Sequence, residues 1–382
     1  MNHCRMLHRL NRARRRAFSV AAAVLALTGS AAIPGTAHAD GSSSLTIVPA
    51  AQTLPLALAG FGAIVADDAR HSVFLSSGPG GDRVEEVGYD GTVLGTIGHE
   101  DGADGLALSA DGRTLYVAQA TGDAVSAIDT ATFTEKARYP LPPHSCPTNL
   151  ARTGPDVWIG YGCERGAGGV AVLATDTAAA EVVLAKQDPA ADVRYSAAPI
   201  VAAAEQAPGT LVVSQPYADP AVVTTYATSA GADPSLRLVS TASLSGSELA
   251  DLAVSPDGGT AFAAPGSQTT VDALSTATLE SSAQYTTGLG PDAVAVAPDG
   301  TEMAATTAIP GSHVYVWAMG DGSGGGGPGG RRPEGDYGRP ETGAPAPRGL
   351  AFSGDGRLLF FVTEPPSGQG GPTLTVLEVD ED

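Results

Sequence analysis

The chain has 382 residues, 43% hydrophobic, 5% aromatic and 16% charged, and its 21 Lys and Arg against 41 Asp and Glu give a formal net charge of −20. That acidity excludes binding to nucleic acid or to an anionic membrane through a general electrostatic field. The hydrophobic fraction excludes a wholly disordered chain, and 49 glycines and 28 prolines among β-branched runs argue against a helical bundle.

Arg5, Arg9, Arg12, Arg14, Arg15 and Arg16 precede an apolar run from Ala17 to Leu27, and small residues lead on to Ala37-His38-Ala39. A basic start, a short apolar stretch and an A-x-A site spell a secretory signal over residues 1–39. Cleavage after Ala39 leaves Asp40 as the first mature residue. The apolar run is too short for a stable membrane anchor. Arg15-Arg16-Ala17-Phe18 resembles a twin-arginine export signal; an ordinary Sec signal with extra arginines explains it equally, so both routes stay open. Cys4 lies before the apolar run and implies no lipid anchor. Residues 40–382 then hold 15 basic residues against 41 acidic ones, a net of −26, and keep only Cys146 and Cys163. No later apolar segment is long enough to span a bilayer, so one soluble exported domain is expected.

A repeat runs through that domain. The first unit, Ala63-Ile64-Val65 to His71-Ser72-Val73-Phe74-Leu75, is weak. The second, from Gly105 to Ala118, is the clearest: an apolar run, Ser109-Ala110-Asp111-Gly112, then Thr114-Leu115-Tyr116-Val117. The third turns at Gly154-Pro155-Asp156 and the fourth at Pro208-Gly209. Strong copies return at Asp257-Gly258, Asp299-Gly300 and Asp355-Gly356. Each reads strand, turn, strand, and an Asp-Gly pair between apolar runs is a strong hairpin signal that can place both turn residues at φ > 0.

The first-strand anchors are Ile64, Leu106, Leu150, Ile200, Leu252, Val294 and Leu350, spaced by 42, 44, 50, 52, 42 and 56 residues. A period near 40–50 with several strands per unit is the mark of a β-propeller blade. The second unit has room for two further strands, Ala124–Asp129 and Glu135–Tyr139, giving four per blade in meander order. The last unit ends on its third strand, while Leu45-Thr46-Ile47-Val48 has no unit of its own. Ring closure follows: an N-terminal strand supplies the outer strand of the last blade and hides a sheet edge. The expected fold is all-β, a seven-bladed propeller, with six or eight blades as the alternatives.

The second unit, with Val125-Ser126-Ala127-Ile128-Asp129-Thr130-Ala131-Thr132 after its hairpin, resembles the YVTN repeat of YncE-like bacterial propellers. The resemblance covers nearly all of residues 45–382 and is strongest in the second, fifth and last units. Gln119 departs from it, standing where the motif has Asn. The resemblance implies a propeller outside the cytoplasm and implies no reaction.

Cys146 and Cys163 lie equally far from the centre of the third-unit turn. Residues equidistant from a hairpin turn face each other, so an exported chain should join them as a disulfide worth about 3 kcal/mol. Metal or redox chemistry fits less well: there is no C-x-x-C, and His144 is the only imidazole close by.

Other polar features each have a plain reading. Glu100, Asp101 and Asp104 form the densest acidic run and offer oxygens for Ca²⁺, but they lack EF-hand spacing and suit a solvated loop between blades. The residues two before the anchors fall at a propeller's channel mouth: Gly62, Asp104, Thr148, Ala250, Asp292 and Arg348. Asp104 and Asp292, opposed by Arg348 and joined by Thr148, would form a polar rim where a ligand enters; the plainer role is to turn the chain into the inner strand. His71, His99, His144 and His313 fall in different units without a metal-binding pair. Ser77, Ser109 and Ser255 lie in no nucleophile elbow, and the tract Gly322–Gly330 leads to no helix that would cradle phosphate. Residues 320–347 are a Gly- and Pro-rich insertion, carrying Arg331, Arg332 and Arg339, that replaces or displaces the outer strand of the sixth blade.

No cofactor motif and no catalytic constellation is visible, so none is assigned. The expectation is a monomeric binding or scaffold module outside the cytoplasm, for a protein or small-molecule ligand. The alternative is a lactonase-like or metal-dependent hydrolase at the channel mouth, which requires several carboxylates, His or Asn to converge there.

Overall fold

The computed structural model describes residues 52–163, 168–175, 180–230, 233–308, 314–319, 335–336, 343–366 and 370–379. The signal segment, Leu45–Val48, His313 and most of 320–347 lie outside them.

The described chain forms seven antiparallel sheets of four strands, the fourth sheet gaining a short fifth strand. Their inner strands are Ile64–Asp67, Ala103–Leu108, Pro147–Thr153, Ile200–Ala202, Leu249–Val254, Pro291–Val296 and Ala344–Phe352. Every anchor of the repeat sits in one of them. The second blade shows the pattern: Ala103–Leu108, Thr114–Gln119, Ala124–Asp129 and Thr134–Pro140, each paired with the next. Sheets buried on both faces need apolar residues on both, and the second strand of this blade is buried throughout. The outer strand alternates instead, with its charged side chains facing solvent.

Seven apolar cores lie between neighbouring blades. One joins Phe74 and Val84 of the first blade to Leu115 and Ile128 of the second. The last joins Val362 and Leu374 of the seventh blade to Val73 and Leu75 of the first, closing the ring. Each blade therefore buries its faces against two others, and no single sheet could stand alone.

Closure uses Gln52–Pro55, which pairs antiparallel with Thr373–Glu378 as the outer strand of the seventh blade. The N-terminal strand does this, but Gln52–Pro55 forms it rather than Leu45–Val48, the more apolar stretch. An outer strand faces solvent on one side, so apolarity is a poor guide to its place. In the sixth blade, Gly335–Asp336 supplies a two-residue outer strand against Tyr315 and Val316. The insertion thus displaces the outer strand without removing it. The wide spacing before the fourth anchor accommodates Lys186–Gln187, which runs parallel to the start of Ser235–Ser243. Gln187 Nε2 donates to the Tyr226 hydroxyl at 2.9 Å, fastening this detour to the blade.

The Asp-Gly hairpins are built differently from a two-residue turn. In the second blade only Gly112 has positive φ, at 67°. Ser109 Oγ donates to Asp111 Oδ1 at 2.7 Å, Arg113 N–H donates to that same oxygen at 3.1 Å, and Thr114 N–H donates to Ser109 Oγ at 2.9 Å. The network recurs at Ser255–Asp257 and Ser353–Asp355. It stabilises a four-residue loop that ends in a left-handed glycine. Thr130 and Thr276 then donate to the carbonyls of Gly112 and Gly258, tying the second turn of the blade to the first. These turns lie on one face of the ring, called the turn face here; the starts of the inner strands lie on the other, the entry face.

Candidate functional site

Five inner strands bulge near their start. The register shifts between Ala103 and Leu106, Pro147 and Asn149, Leu249 and Asp251, Pro291 and Ala293, and Pro345 and Leu350. A bulge leaves a residue out of the ladder and re-aims its side chain. The residues inside these five bulges include Asp104, Thr148, Ala250, Asp292 and Arg348, so the rim positions read from the sequence share one backbone device.

Arg348 is the centre of the group. Its backbone is left-handed, with φ 59°, an uncommon conformation for a bulky residue. Its guanidinium crosses the ring: Nη2 donates to Asp104 Oδ1 of the second blade at 2.5 Å. Nη1 donates to the Thr148 carbonyl and to Asn149 Oδ1 of the third blade, both at 2.9 Å. Burial alone would lower the Arg348 pKa, but the charge and hydrogen bond of Asp104, with the nearby Asp251, raise it above the usual arginine value. The pair is a charge-assisted contact of the strong kind. Gly62 makes room for it, since a Cβ there would come within 3.0 Å of Asp104 Oδ1 and 2.7 Å of Ser76 Oγ.

Asp251 lies beside this link. Leu252 N–H donates to Oδ1 at 2.8 Å, and Val294 N–H of the sixth blade donates to Oδ2 at 3.0 Å. Burial pushes its carboxyl up to about 6 against the lowering effect of these two donors and of Arg348. Asp292 is buried two residues before Val294. Tyr217 completes the mouth: its N–H donates to the Leu249 carbonyl at 3.2 Å, its φ is 55°, and its side chain is half exposed.

The acidic run does not converge. Glu100 is fully buried, and it accepts from Gln119 Nε2 at 2.5 Å and from Ser126 Oγ. Burial raises its pKa. Asp101 is exposed, and Asp104 turns to Arg348. The three carboxylates therefore face different surroundings, and among the described residues no group of three or more His, Cys, Asp or Glu is arranged to hold a metal. Gln119, the departure from the YVTN motif, is the partner that buries Glu100.

Cys146 and Cys163 are joined by a disulfide with Cα atoms 5.1 Å apart, on the entry face beside the rim. Cys146 has φ 45°, directly before the inner strand that carries Thr148 and Asn149. His99 and His144 sit in separate entry loops, and His71 packs edge-on against Tyr89, 5.8 Å between ring centroids.

Sequence reasoning missed Asn149, Asp251 and Tyr217. Asn149 and Asp251 stand one residue before their anchors, not two. At that offset the other units have Ala63, Gly105, Pro199, Ala293 and Gly349, so two polar residues in an apolar or glycine column were the available signal. Tyr217 lies outside the repeat template, and no local pattern marks it.

Solved structures with the same architecture share little sequence with this chain. The crystal structure of the mitotic checkpoint complex matches at TM-score 0.64 and 16% identity, over 95% of this chain and 100% of the other. U3-55K matches at TM-score 0.64 and 12% identity, and Kuenenia stuttgartiensis hydrazine synthase at 0.61 and 17%, each over 86% of this chain and 98% of the other. The fold is a WD40-like seven-bladed propeller. No family model matches the chain, and no curated protein matches it. Identities this low carry the fold alone. Among the described residues no helix is long and apolar enough to cross a membrane.

Proposed function

We propose that this chain is a secreted binding propeller of the YncE-like, YVTN-repeat type, acting as a monomer and holding its ligand at the channel mouth around Arg348. The observation that carries this reading is the cross-ring link. Arg348 reaches from the seventh blade to the second and third, so the rim is one rigid, pre-organised group of donors and acceptors. The basic, apolar and A-x-A pattern of residues 1–39 and the Cys146–Cys163 disulfide support an oxidising location outside the cytoplasm.

The test uses the exported, processed protein in a thermal-shift screen of small molecules. A ligand whose stabilisation disappears in Thr148→Val supports the reading. Ligands that shift wild type and variant alike contradict it. N-terminal sequencing should begin at Asp40.

One observation favours a hydrolase as the second reading. A carboxyl near pH 6 beside an arginine is suited to proton transfer at neutral pH. It ranks second because both Asp251 oxygens are already engaged by backbone N–H groups. Turnover of lactones or esters by wild type but not by Asp251→Asn would reverse that order.

A further inference from the structure

The mouth has more donors than the protein uses. A guanidinium offers five N–H groups and a threonine hydroxyl one. Arg348 engages one N–H with Asp104 and two with the third blade, which leaves Nε–H and one Nη2–H. Asn149 Nδ2 donates to Thr148 Oγ1 at 2.9 Å, so the hydroxyl accepts there and its own proton remains to donate. These three donors share the rim with the carboxylates of Asp251 and Asp292. The fixed charges restrict the ligand. Asp104 cancels Arg348, and the other two aspartates repel an anion, while the unused Arg348 N–H groups repel an ammonium and cannot accept from it. A neutral molecule rich in hydroxyl groups avoids both penalties, because each hydroxyl donates and accepts.

The apolar part of the site is aromatic. Tyr217 holds its ring 52% exposed on a left-handed backbone, fastened by its N–H to Leu249, two residues before Asp251. An exposed ring fixed in that way beside a hydrogen-bonding rim matches the apolar C–H face of a pyranose.

We infer that the channel mouth binds a neutral carbohydrate, whose hydroxyls meet Arg348 and Thr148 while one sugar face packs on Tyr217. This inference rests on the mouth reading above and names the ligand class for it. The hydroxyl contacts set orientation, and the ring contributes most of the buried apolar area.

The experiment is a glycan array carrying neutral, sialylated and sulfated oligosaccharides, followed by calorimetric titration of the best neutral binder. The expected result is neutral glycan binding that weakens about tenfold in Tyr217→Ala and about tenfold in Thr148→Val, the loss of one buried hydrogen bond. Tyr217→Phe should retain binding, because the ring is kept. Tyr217 is half exposed, so these variants should melt near wild type. Binding confined to acidic glycans overturns the inference, as does neutral binding that ignores both variants. No glycan binding at millimolar concentration also overturns it. In that case, stabilisation by another small molecule that disappears in Thr148→Val preserves the mouth reading and separates the two failures.

Discussion

On the turn face, Asp111, Asp257 and Asp355 each accept from a serine hydroxyl two residues earlier and from a backbone N–H two residues later. On the entry face, Asp104 is buried against a single arginine from across the ring, and Asp251 is buried between two inner strands. The serine and amide donors hold the turn carboxyls below the usual aspartate range, while burial pushes Asp251 up to about 6. One residue type is thus used repetitively at one end of the channel and individually at the other. The repeated use explains how the blades fold. The individual use has no counterpart in neighbouring blades, and so marks where this chain differs from a generic propeller.

The largest expected effect is at the rim. Arg348→Met leaves Asp104 buried without its partner and should cost about 3–5 kcal/mol in urea denaturation. Pairing it with Asp104→Asn should recover much of that loss. A cost under about 1 kcal/mol would show that the cross-ring link is solvated, and would erase the contrast with the turns. Next comes the disulfide that holds the left-handed entry to the third blade. Reduction, or Cys163→Ser, should cost about 3 kcal/mol, read by the same unfolding curve.

The pH dependence of Asp251 sharpens the comparison further. Its folded pKa lies above the unfolded value, so the folded state keeps a proton that the unfolded chain loses. Its stabilising contribution is full below pH 4 and is lost as pH rises to about 6. The size is about 3 kcal/mol for a shift of this order. Between pH 4 and 7, wild type should lose that much relative to Asp251→Asn. The turn aspartates have the opposite sign, because their folded pKa values are depressed. Their contribution is present above the unfolded pKa and is lost as acid protonates them. The smallest effect is Ser109→Ala, about 1 kcal/mol, accompanied by an upward move of the Asp111 titration midpoint by NMR.

Most of the fold was legible because it repeats. The seven anchors and the Asp-Gly turns are local patterns recurring through the chain, and each anchor lies in an inner strand. What escaped was local structure without repetition. The turn type depends on the Ser109–Asp111 contact, and the closing strand Gln52–Pro55 has little apolar signal. At the mouth, the bulge positions Asp104, Thr148, Asp292 and Arg348 were visible as offsets from the anchors. Their partners were not, since Arg348 and Asp104 are 244 residues apart and meet only when the ring closes. Asn149 and Asp251 come from the strand beside the bulge, an offset that can be chosen only once the register is known.

The central claim is that the entry mouth, and not the turn face, holds the ligand. The most direct measurement is a crystal structure of the processed protein with the compound that stabilises it most in the thermal-shift screen. The account predicts that compound against Arg348, Thr148 and Tyr217, with the Arg348–Asp104 contact intact. Density instead on the turn face, against Asp111, Asp257 or Asp355, would contradict it.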